Sequence, residues 1–263
     1  MTLIKAQALG NDFLLVSGAA VSAVADLPGF ARLVCHRRNG VGADGLMLLD
    51  DTPVGGRTRL FNADGSEAEL SGNGLRTAAA WIARSRSLRP GATIVLETAA
   101  GPRTFELLGS DGLRYTLRAD MGQPLDLRIE EIPVANALIP AVVLNMGNPQ
   151  CVVLGPATVE RLHTIGPAIA THAMFPAGTN VELVAVSRPD WLDILIWERG
   201  VGPTEASGTG ACAAAVAAAF AGGAGRAVDV RSPGGVQHVE WTDAGVSLIG
   251  WAELVASVDW LAF

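Results

Sequence analysis

A short pattern that occurs twice constrains this chain more than any other feature. Ser71-Gly72-Asn73-Gly74 opens a small-residue helix through Ala78-Ala79-Ala80, and Ser207-Gly208-Thr209-Gly210 opens an alanine-rich one at an offset of 136. Nine residues before each serine a polar residue follows an apolar pair: Asn62 after Leu60-Phe61, and Glu198 after Ile196-Trp197. Gly10-Asn11 matches Gly147-Asn148 at an offset of 137, and Asp44 matches Asn180 at 136, in the same order along the chain. Correspondences at nearly one offset point to a duplicated unit, and a missed repeat would change the whole fold assignment. We therefore expect two similar domains, 1–120 (completed by 253–263) and 121–252. A helix N-terminus offers unpaired backbone N–H groups and partial positive charge, so each glycine-flanked serine marks an anion cradle.

Composition allows this plan. At 263 residues, 49% of them hydrophobic and 17% charged, the chain can fill two cores and is not disordered. A net charge of -7, with Lys5 the only lysine, excludes the basic stripe that nucleic-acid binding requires. Cys35, Cys151 and Cys212 form neither a CxxC pair nor a metal-ligand spacing, so no metal is expected and the thiols read as buried in a reducing, cytoplasmic compartment. The uncharged run from Ala206 to Gly225 is dominated by alanine and glycine, which suits a buried central helix and not a membrane span. Phe13 to Ala25 mimics a signal-peptide core, but Asp12 precedes it with no basic cluster, so it reads as strand plus connection. Gly40-Val41-Gly42-Ala43-Asp44-Gly45 satisfies GxGxxG after a helix and before a strand, the reverse of the dinucleotide-binding context. No cofactor is expected.

Apolar periodicity and turn residues give strands at 3–8, 13–17, 46–49, 57–62, 92–98, 102–108 and 113–118, with helices at 27–38 and 74–84. A crossing near Met121 to Leu125 leads to strands at 141–145, 151–154, 181–186 and 192–197, and a helix at 159–170. The helix after Ser207 precedes strands at 227–231, 237–241 and 245–249. The class is α+β: two pseudo-symmetric α/β domains, each a curved sheet around a central helix.

With GND near the start, NADGSE before a GNG helix start, MGNP, and ERG before SGTGAC, the chain resembles the diaminopimelate epimerase family along nearly its whole length. The resemblance implies the substrate between two domains, and cofactor-independent inversion at the α-carbon by a cysteine pair in lysine and peptidoglycan-precursor biosynthesis. It also implies that backbone groups at Gly72, Asn73, Gly208 and Thr209 hold the α-carboxylate, and Asn62 and Glu198 the α-amino group. The distal amino-carboxylate falls to Asn11, Asn148, Asn180 and Arg199, where an arginine fork suits a carboxylate. The expected partner is an amino-acid substrate, with neither nucleic acid nor membrane, and a homodimer is an allowed assembly.

The catalytic set departs from the family. Both family cysteine positions are serine here, Ser71 and Ser207, and the histidine after MGNP is Gln150. A thiol has a pKa of about 8.5, lower at a helix N-terminus, whereas a serine hydroxyl is a far weaker acid that needs an adjacent base. Three explanations stay open: a slow epimerase using another base such as Glu198, a member diverged to binding, dehydration or double-bond isomerisation, or a deliberate replacement that stops turnover. The candidate catalytic set is Ser71, Ser207 and Glu198. Each serine also suits a plain helix cap.

Overall fold

The computed structural model describes residues 1–68 and 71–261. Of the expected 253–263 completion, positions 262 and 263 lie outside the described residues. The chain divides into two compact units, Met1–Ala119 with Trp251–Phe263, and Asp120–Gly250.

In the first unit β1 (Thr2–Ala8) and β2 (Asn11–Ser17) form a hairpin turned at Gly10, whose φ of 83° favours glycine. A 3-10 turn (Gly18–Val21) and helix α1 (Leu27–Cys35) lead to β3 (Gly45–Thr52), which runs parallel to β2. Strand β4 (Gly55–Asn62) returns antiparallel to β3, with the short β5 (Glu67–Ala68) beside it. Helix α2 (Gly72–Ser85) then crosses to β6 (Thr93–Glu97), parallel to β4. The antiparallel pairs of β6 with β7 (Arg103–Asp111) and of β7 with β8 (Arg114–Gly122) complete the run.

The second unit repeats that order. After β9 (Leu125–Val134), β10 (Ala137–Asn145) and β11 (Pro149–Leu154) form a hairpin with Gly147 at a φ of 90°. Helix α3 (Val159–Ala170) crosses to β12 (Asn180–Arg188), parallel to β11, and β13 (Trp191–Glu198) and β14 (Gly202–Thr204) follow antiparallel. Helix α4 (Gly208–Phe220) crosses to β15 (Ala227–Ser232), parallel to β13, and β16 (Gly235–Thr242) and β17 (Gly245–Asp259) close the series. The first residues of β17 pair with β16, and Glu253 to Asp259 pair with β1, so the chain's far end supplies the first unit with a strand that also pairs with β8.

Each unit is a sheet wound round one buried helix. In α4 the residues from Gly210 through Ala218 are buried on every side, as the run of alanines allows: small side chains let surrounding strands approach from all directions. In α2 the buried set runs from Asn73 to Ala80 with Ile82 and Ala83. The shorter helices cover outer faces. Phe30, Ala31 and Val34 of α1 pack on Leu46, Leu48 and Phe61, and Leu162, Ile165 and Ile169 of α3 pack on Cys151, Val181 and Leu183. Among the described residues, no helix is long and apolar enough to cross a membrane.

Boundaries that differ from the sequence reading include these three. Helix α1 stops at Cys35 and not Arg38, because His36 is extended and its Nδ1 accepts the N–H groups of Arg38 and Asn39. Strand β9 occupies residues past the expected crossing, and β17 continues ten residues beyond the expected end at Ile249.

Candidate functional site

The two cradles are built alike. Ser71 and Ser207 are the N-caps of α2 and α4, with φ and ψ of -137° and 118° against -136° and 129°. Ser71 Oγ accepts the Gly74 N–H at 3.1 Å, and Ser207 Oγ accepts the Gly210 N–H at 3.2 Å. The capping role is therefore filled in both units, and the N–H groups of the two intervening residues stay available at the positive end of each helix. The fourth residue of each motif must be small: a Cβ on Gly74 would lie 2.8 Å from Met47 Cε, and one on Gly210 would lie 2.9 Å from Glu182 Oε1.

The neighbours of the two serines differ. In the second unit Gln150 lies opposite Asn180 across β11 and β12, and Val181 lies opposite Trp197 across β12 and β13. Side chains alternate along a strand, so Gln150, Asn180, Glu182, Ile196 and Glu198 project to the α4 face, while Cys151, Val181 and Trp197 project to α3. Glu198 ends β13 beside the cradle. Burial raises its pKa above the ordinary carboxylate value, and the hydroxyls of Thr204 and Ser207 pull it back towards ionisation. Thr204 Oγ1 is buried with no partner at normal hydrogen-bond distance, so its contact with Glu198 is a long one. Asn148 Oδ1 accepts from Gln150 Nε2 at 2.6 Å, and Asn180 Oδ1 accepts the Arg199 N–H at 2.9 Å. Arg199 itself is exposed and donates from Nη1 to the Ala177 carbonyl at 2.7 Å. Gly208 and Thr209 are half-buried, and Thr209 Oγ1 lies 3.5 Å from Ser207 Oγ.

In the first unit Asn11, Asp44 and Asn62 stand at one end of adjacent strands, where Phe13 pairs with Gly45 and Gly45 with Asn62. Asn11 Nδ2 donates to Asp44 Oδ2 at 2.7 Å. Asp44 also accepts from Arg37, which pairs with Asp12 as well, and Asp12 takes a further bond from Lys5. Burial acts to raise the Asp12 pKa, yet the bonds and charges of Arg37 and Lys5 outweigh it and bring the group to about 2. Asn62 is exposed, with Nδ2 on Ser66 Oγ at 2.9 Å. Asn73 is buried and accepts from Arg76 at 3.2 Å, whereas Gly72 is exposed with open space where a Cβ would stand. Beside Ser71 lies a cavity of about 290 Å³ lined by Met47, Leu60 and Leu75, with the Arg57–Glu97 and Arg59–Glu67 ion pairs on its wall.

Asn180 and Glu198 thus share the α4 face of the second unit, and Asn11, Asp44 and Asn62 share neighbouring strand ends in the first, while the Arg199 guanidinium is engaged with the Ala177 carbonyl. The residue that sequence reasoning passed over is Glu182, wholly buried between Gln150, Glu198 and the start of α4. The signal for it was a charge inside the apolar run Val181-Glu182-Leu183-Val184, because a strand covered on both faces has no solvent side on which to place one. All three cysteines are buried, and burial pushes Cys35 up to about 12 and Cys151 up as well.

Known proteins resemble the chain in sequence and in fold. The family model described as diaminopimelate epimerase matches residues 3–125 and 142–255. A diaminopimelate epimerase of Desulforudis audaxviator is 44% identical over 99% of both chains, and one of Moorella thermoacetica is 41% identical over 92% of both. Among solved structures, a phenazine biosynthesis protein of the PhzF family from Bacillus anthracis superposes with a TM-score of 0.72 at 13% identity, covering 100% of this chain and 99% of that one. At that identity the likeness shows the fold alone.

Proposed function

The chain belongs to the diaminopimelate epimerase family, and from that premise we propose that it inverts the α-carbon of an amino acid, diaminopimelate, between the LL and meso forms without a cofactor. This places it in lysine and peptidoglycan-precursor biosynthesis, in the cytoplasm. The α-carboxylate is held by the N–H groups at Gly72, Asn73, Gly208 and Thr209, where the helix dipoles stabilise the charge that builds as the α-proton leaves. Asn62 and Glu198 hold the α-amino group, and Asn11, Asn148, Asn180 and Arg199 hold the distal head. Ser71 and Ser207 serve the two faces of the α-carbon.

The feature that carries the chemistry is the placement of Glu198 at the end of β13, on the α4 face with the Ser207 cradle, where the Ser207 hydroxyl favours its ionised form. A serine hydroxyl becomes useful in proton transfer only beside a base, and Glu198 supplies one. As Ser207 Oγ takes the α-proton, its own proton passes to Glu198; the reverse path returns it. Incubation of LL-diaminopimelate with the protein, followed by chiral chromatography, tests the reading: meso isomer should accumulate at a rate proportional to protein. Bound substrate left wholly in the LL form would refute it.

A second reading draws on the asymmetry between cradles. Among the described residues, the acidic groups nearest the Ser71 cavity are Glu67 and Glu97, each already paired with an arginine. One assisted proton transfer suffices for a dehydration or a double-bond isomerisation, so products of those reactions belong in the same chromatographic trace.

A further inference from the structure

Among the described residues, Glu182 is the one buried acid that the mechanism above does not use. Its relative exposure is 0%, and neither carboxyl oxygen receives a hydrogen bond from another residue. No described residue around it supplies a cation. From β11 it shares a face with the amide of Gln150, whose Oε1 is likewise buried without a partner, and the Cys151 thiol lies on the same strand. From β13 it faces Glu198, and from the start of α4 the hydroxyls of Ser207 and Thr209. Glu182 Oε1 and Ser207 Oγ lie 2.9 Å and 3.3 Å from the same point, the place a Cβ on Gly210 would occupy. The acid is therefore built into the second cradle.

We propose that Glu182 is a positioning residue for the proton chemistry of Ser207: it keeps its proton throughout, and so leaves Glu198 as the single ionised carboxylate of the pair. The assignment rests on the function proposed above for that cradle. An isolated buried carboxylate with no donor costs several kcal/mol, and two such charges side by side cost more, so the pair holds one proton between them. The more buried member keeps it. Burial raises the Glu182 pKa well above the ordinary value, and the charge on Glu198 raises it further. During turnover the proton of Ser207 moves to Glu198 and back, and that of Glu182 stays where it is. When alkali removes the second proton, the repulsion reaches Glu198 and the geometry of Ser207, and the rate falls.

Two measurements test this. Infrared difference spectroscopy of the full chain at neutral pH should show the carbonyl stretch of a protonated carboxylic acid that disappears in Glu182→Gln. No such band, or a band that survives the substitution, overturns the proposal. The pH profile of α-proton exchange supplies the second readout: an alkaline fall in the unaltered chain should be lost in Glu182→Gln, while an identical fall in both chains overturns the proposal. A chain that shows the band but exchanges no α-proton refutes the epimerase reading alone, so the two failures are distinguishable.

Discussion

Replacing Glu182 with glutamine should change how stability depends on pH in a direction fixed by its burial. In the unfolded chain a glutamate ionises near its ordinary value of about 4.3. In the fold Glu182 titrates well above that, because burial and then the neighbouring Glu198 charge disfavour the anion. Between those two values the unfolded state has released a proton that the folded state still binds, so stability falls as pH rises through the window. Within that window the slope is about 1.4 kcal/mol per pH unit. Glutamine has the same shape and no titration, so its chain lacks this slope. Urea denaturation of both chains across that range isolates the effect, because every other titrating group, Glu198 included, is common to both. The difference in unfolding free energy should shift steadily in favour of Glu182→Gln as pH rises. A difference that stays constant would refute the reasoning, since Glu182 would then titrate alike in the folded and unfolded chains.

Other expectations follow from the same geometry. Ser71→Ala and Ser207→Ala should each lose a helix cap worth about 1 kcal/mol by urea denaturation, and Ser207→Ala should also abolish α-proton exchange. Replacing both serines with cysteine should speed exchange, because a thiol at a helix N-terminus ionises far more readily; an unchanged rate would count against proton transfer at these positions. Gly210→Ala should destabilise the fold by about 1–3 kcal/mol, since its Cβ meets Glu182 Oε1 at 2.9 Å and Ser207 Cβ at 3.1 Å, whereas Gly72→Ala meets nothing within 4 Å and should be nearly neutral by thermal melting. Asp12 titrates at about 2, below its ordinary value, so its contribution is present above about pH 4 and is lost as pH falls towards 2. Acid denaturation of Asp12→Asn should be shallower than that of the unaltered chain in that range.

The duplicated fold was legible because its markers are local. Ser-Gly-x-Gly caps, the turn glycines Gly10 and Gly147 and the alanine run of α4 each express a backbone or packing requirement within a few residues. The misses have equally local causes. Strand β9 is largely exposed and carries Pro133, so it lacks both clean alternation and the usual strand composition. Gly250 reads as a stop within β17, although the strand runs through it to pair with β1. The site residues could be named from their motifs, but the partnership of Glu182 and Glu198 depends on register: Val181 opposite Trp197 puts both carboxyls on the α4 face. A one-residue slip would point them elsewhere, and no sequence pattern fixes register that finely.

The most direct test of the central claim is deuterium incorporation at the α-carbon of diaminopimelate, followed by proton NMR in deuterated water with the unaltered chain and Glu198→Gln. The unaltered chain should remove the α-proton signal as the stereoisomer ratio moves towards equilibrium, and Glu198→Gln should slow both together. Line broadening from bound ligand with a full α-proton signal, or exchange unaffected by Glu198→Gln, would contradict it.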